Sequence, residues 1–89
     1  MVTVKKMVLD ILKPHRPNAL EFCLGVAAVG ADYRVQLTVL EMDEKTESLR
    51  LQVEGAALDF EAIHGAINTL GGSLHSIDEV EVHSGAGTD

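Results

Sequence analysis

The sequence predicts a ferredoxin-like α+β sandwich: an antiparallel sheet in the strand order 4-1-3-2, with two helices on one face. Three observations predict it. Four segments carry strand-like alternation and two carry helical spacing, in the order β-α-β-β-α-β. A short polar stretch joins the middle two strands, so two split βαβ halves meet at a hairpin, and right-handed crossovers then set the strand order. The chain has 89 residues, the size of one domain. Many unrelated functions use this fold, so the fold alone predicts none.

The first strand is expected over residues 2–13. In Val8-Leu9-Asp10-Ile11-Leu12-Lys13-Pro14-His15 apolar residues stand on both faces, which suits a central strand. Pro14 removes a backbone donor and ends it. Both prolines lie in Lys13-Pro14-His15-Arg16-Pro17-Asn18, a stiff connector in which Pro17 suits a first helical turn. Helix one follows, with Ala19, Leu20, Cys23, Val26 and Ala27 as its apolar stripe, Phe22 at the margin and Gly30 at its end. Strand two, residues 33–43, sets Tyr33, Val35, Leu37 and Val39 against Arg34, Gln36 and Thr38. Asp43-Glu44-Lys45-Thr46 makes the hairpin, and strand three alternates Leu49, Leu51 and Val53 with Ser48, Arg50, Gln52 and Glu54.

Helix two has Asp59 as N-cap, Leu58 and Ile63 as a hydrophobic staple, Phe60, Ile63, Ile67 and Leu70 as buried stripe, and Gly71 as C-cap. In strand four Leu74, Ile77, Val80 and Val82 do not hold one phase, which predicts a bulge or a change of face near His75-Ser76. The domain is expected over residues 1–82, with residues 83–89 a disordered polar tail.

Composition narrows the function. A net charge of −7 argues against nucleic acid as partner. RNA-binding modules of this topology stack bases on aromatics in strands one and three, and these strands have none. The single cysteine, Cys23, reads as a packed thiol in a reducing interior. Without a span of about 20 apolar residues or a leader-like start, a cytoplasmic protein away from membranes is expected. His64 is expected to be solvated on the polar side of helix two. No nucleophile–base–acid triad is visible, so an enzyme is not expected.

The topology gathers distant residues at one end of the sheet. Asp10, Lys13, His15 and Arg16 should meet Glu41, Asp43, Glu44 and His75 there. Asp10, Glu41 and Asp43 offer oxygen ligands for a hard divalent cation such as calcium or magnesium. Lys13, His15 and Arg16, with the free N–H groups of helix one, offer an anion site. A third reading is mutual neutralisation at a solvated rim or subunit contact. For a small ligand the candidates are Asp10, Lys13, His15, His75 and Asp78. The open sheet face should show Val4, Val8, Leu12, Leu40 and Met42 among Lys6, Arg34, Arg50 and Glu54, a mixture suited to a subunit interface.

Together with Leu37-Thr38-Val39-Leu40-Glu41-Met42-Asp43 and Gly71-Gly72-Ser73-Leu74-His75-Ser76-Ile77-Asp78-Glu79-Val80, the strand-one motif resembles the small, mainly archaeal family called domain of unknown function 211, over residues 3–82. The resemblance implies a ferredoxin-like homo-oligomer of ring form, with no established activity. Its characteristic positions correspond here to Asp10, Lys13, Pro14, His15, Glu41, Asp43, His75, Ser76, Asp78 and Glu79. Cys23, Gly25 and the tail depart from it outside the motifs. The expectation is a non-enzymatic oligomeric binding or regulatory protein that senses a cation or small ligand at the rim. The alternatives are a purely structural assembly protein and a small-molecule regulatory module of the ACT type.

Overall fold

The computed structural model describes residues 1–85; the remainder of the expected tail, residues 86–89, lies outside them. The elements are β1 (Val2–Pro14), α1 (Ala19–Ala27), β2 (Arg34–Met42), β3 (Thr46–Glu54), α2 (Phe60–Thr69) and β4 (Ser73–Ser84). The sheet order β2-β3-β1-β4 is the expected one, every neighbouring pair antiparallel. β4 runs past Val82, because His83 and Ser84 pair with Thr3 and Val2.

Alternation assigns the faces. Met7, Leu9 and Ile11 of β1 stand opposite Val53, Leu51 and Leu49 of β3, and all six are buried under the helices. Each such side chain contributes about 1.5–3 kcal/mol on leaving water. Val35 and Leu37 extend the row onto β2. The other face carries Lys6, Asp10 and Leu12 beside Arg50, Gln52 and Glu54.

In α1 the expected stripe is rotated. Phe22 and Val26 are fully buried, whereas Leu20 is 67% exposed. The bulky Phe22 ring takes the space above the sheet, and Gly72 makes room for it: a Cβ there would stand 3.0 Å from Phe22 Cζ. Pro17 lies before the helix, because Asn18 is the N-cap and closes a capping box with Glu21. In α2 the Asp59 carboxylate accepts from Ala62 N–H at 3.1 Å, and Gly71 takes φ +88° beyond the last turn, where a side chain is disfavoured. His64 is half-buried and stacks on Phe60 with centroids 5.5 Å apart, against the solvated placement expected of it.

β4 carries irregularities that set its side chains. Its pairing with β1 slips between Asp10 and Ile11, leaving His75 as the extra residue, and again between Val8 and Leu9, leaving Asp78. The bulge expected at His75-Ser76 is therefore present. A third slip, beside Lys5, puts Val4 against the core and not on the open face.

Candidate functional site

Lys13 continues the core row of β1, directly opposite Glu47 of β3. A lysine there must find acceptors, because a buried unpaired ammonium is prohibitively unfavourable. Its Nζ is fully buried and makes an ion pair to Glu47 Oε1 at 3.1 Å. It also donates to the carbonyls of Pro14 at 2.8 Å and Pro17 at 2.7 Å. All three ammonium hydrogens are thus committed inside the protein, tying the proline connector to the end of the sheet.

His15 completes the cluster. It donates from Nδ1 to Glu47 Oε2 at 2.9 Å and from Nε2 to the carbonyl oxygens of Asp43 at 2.9 Å and Glu44 at 3.2 Å. Both ring nitrogens face oxygen acceptors, an arrangement that fits the imidazolium. The hydrogen bond to Glu47 raises the His15 pKa above its ordinary value, helped by the two carbonyls and opposed by partial desolvation. The same bond is the main cause that lowers Glu47, with Lys13 adding to it. Lys13, Glu47 and His15 form a latch that joins β1, the β2–β3 hairpin and the connector.

Asp43 supports the latch by shaping the hairpin. Its Oδ1 accepts from Thr46 N–H at 2.9 Å, Lys45 N–H at 3.1 Å and Thr46 Oγ1 at 3.1 Å. The backbone donor of Thr46 is the leading cause that holds its carboxyl below the usual range. Asp43 follows the end of β2, so it does not share a strand face with Glu41.

The rim residues divide between two places. Asp10 and His75 meet on the open face, His75 Nδ1 lying 2.9 Å from Asp10 Oδ2 beside a cavity of about 230 Å³ that Ser48 and Leu12 also line. The bulge at His75 makes this possible. Asp78 accepts from Ser76 Oγ at 2.7 Å, and Glu79 pairs with Lys6 at 2.8 Å. Glu41 joins neither group. Among the described residues no three His, Cys, Asp or Glu side chains form a cation-holding group, and Asp10, Glu41 and Asp43 are not brought together. At the start of α1 the N–H groups of Asn18 and Glu21 are taken by the capping box, which sets the Glu21 carboxylate at the end where an anion was expected. Glu47 was missed from the sequence. Its signal was there: Glu47, Leu49, Leu51 and Val53 share one phase, which puts an acid on an apolar row.

Cys23 is half-buried, its thiol 3.5 Å from the Val35 carbonyl and its pKa raised by burial, as suits a packed thiol. No helix among the described residues is long and apolar enough to cross a membrane.

Comparison with known proteins agrees with these motifs. The family model for DUF211, described as uncharacterized ArCR, matches residues 5–86. The chain is also similar to the uncharacterized protein MJ0319 of the archaeon Methanocaldococcus jannaschii, 43% identical over 77 residues that cover 86% of this chain and 79% of the relative. A four-stranded sheet with two helices, the three sequence motifs and a match spanning nearly the whole chain all lead to one conclusion: this protein belongs to the domain of unknown function 211 family.

Proposed function

We propose that the chain is a non-enzymatic homo-oligomeric binding protein, assembled through the free edges of its sheet and taking a small ligand or cation at the Asp10–His75 end of the open face. The observation that carries the reading is an uncovered apolar row on β4. Ile77, Val80 and Val82 are 49%, 51% and 55% exposed on the core-side row of an edge strand. The reason is length. A helix the length of α2 spans about 15 Å, whereas a strand the length of β4 spans about 40 Å. The helix covers Leu74 and leaves the rest bare.

The opposite edge supports the same reading. Val39, Leu40 and Met42 on β2 are also exposed, so one molecule presents apolar groups along both free edges. Two different edges on one chain suit a head-to-tail contact, which closes as a ring when the rotation allows. Covering such edges also removes unpaired backbone donors and acceptors. In this reading the latch is structural, while Asp10 and His75 supply one carboxylate and one imidazole toward a ligand.

The test is native mass spectrometry of the purified protein, of Val80→Glu, and of both after EDTA with calcium or magnesium restored. A defined oligomer that Val80→Glu disperses supports edge assembly, and a monomeric parent protein refutes it. Whole numbers of metal per subunit, lost with EDTA, would identify the ligand as a cation. An oligomer indifferent to EDTA favours the purely structural assembly reading, with the rim charges serving only the contact.

A further inference from the structure

We propose that the open face of the sheet holds a second binding site, selective for a small zwitterion of the α-amino-acid class, with Arg50 taking the carboxylate and Asp78 the ammonium. Both residues line a cavity of about 340 Å³ floored by Val8 and walled by Gln36, Thr38 and Gln52. That volume lies at the small end of the range for metabolite pockets, about 300–1,000 Å³.

The charges around it are arranged unusually. Arg50 stands directly across from Asp10, the position where opposite charges ordinarily pair. Yet Asp10 is engaged by His75, and among the described residues the Arg50 guanidinium has neither an ion pair nor a hydrogen-bond acceptor. A guanidinium offers parallel N–H groups matched to a carboxylate. Asp78 lines the same cavity, takes only the Ser76 hydroxyl, and has no cationic partner among the described residues. The remaining acid, Glu79, is neutralised by Lys6 at 2.8 Å.

The lining therefore presents one unpaired positive and one unpaired negative group, with no net charge to favour a simple anion or cation. A ligand bearing both charges satisfies the two at once. Gln36 and Thr38 add neutral donors and acceptors, and the Gln52 carbonyl is available because its amide N–H₂ donates to Glu54 at 2.7 Å. The bulge that leaves Asp78 out of register gives this site its acidic side. The site draws on different residues from the assembly edge, so either can fail without the other.

The test is isothermal titration calorimetry of the full chain with each common L-amino acid, with acetate and ethylammonium as single-charge probes. The expected result is saturable binding of at least one amino acid at about 10 mM or below, where a Kd near 1 mM is readily seen. Arg50→Gln and Asp78→Asn should each weaken it at least about tenfold, the usual consequence of losing a charged hydrogen bond. Both side chains are exposed, so circular dichroism should show both variants folded. Absence of binding by every amino acid, acetate binding as tightly as an amino acid, or binding that survives both substitutions would each overturn the proposal.

Discussion

Glu47→Gln removes the one carboxylate of the latch while keeping its shape. Lys13 then remains fully buried against two carbonyls and a neutral amide, and His15 loses its charged acceptor. Removing one partner of a buried ion pair destabilises by about 3–5 kcal/mol. The two surviving carbonyl acceptors place this case near the lower end, at about 3 kcal/mol. A domain of this length has only about 4–13 kcal/mol in total. The melting temperature should therefore fall by roughly 12–24 °C, measured at fixed protein concentration so that association does not shift it. A companion pair, Lys13→Met with Glu47→Leu, replaces both charges by apolar groups and should recover much of the loss. A loss below about 1 kcal/mol for Glu47→Gln would refute the reasoning, since that is the range of a solvated surface pair.

The latch also predicts a pH profile. His15 has its pKa raised from 6.5, so its stabilisation is complete below 6.5 and is lost as pH rises through the higher folded value. Glu47 is lowered from 4.5, so its stabilisation holds above 4.5 and is lost as pH falls through its lower folded value. Urea denaturation across pH should show the latch strongest between the two ordinary values, and His15→Gln should flatten the alkaline limb. Gly72→Ala sets a methyl 3.0 Å from Phe22 Cζ and 3.1 Å from Ile67 Cγ2; overpacking of this kind costs about 1–3 kcal/mol in chemical denaturation. Asn18→Ala opens the capping box of α1 and should lower stability by about 1 kcal/mol in the same assay.

Much of the architecture was legible because it rests on short-range periodicity. The alternation in β2 and β3, the N-cap at Asp59, the positive-φ Gly71 just past the C-cap Leu70, and the broken phase of β4 each follow from the chemistry of a few neighbouring residues. The rim was legible in outline for the same reason: once the topology is known, the end of β1, the hairpin and the start of β4 must meet. The rotation of α1 was not legible. Leu20 and Phe22 are both apolar, and only the space above the sheet, with Gly72 beside it, selects Phe22 for burial.

The sequence by itself determined the element order, the sheet topology, the aliphatic core and the family. Each depends on patterns that survive any small error in register. Tertiary structure decided which rim charges cooperate. Lys13 looked free to receive a ligand, but its place on a buried row commits it to Glu47 and two carbonyls. Asp43 looked like a cation ligand, but it closes its own hairpin. One-residue slips in β4 set which faces His75 and Asp78 reach. A slip of one residue exchanges the two faces of a strand, so such contacts are fixed only when the neighbouring strand is in place.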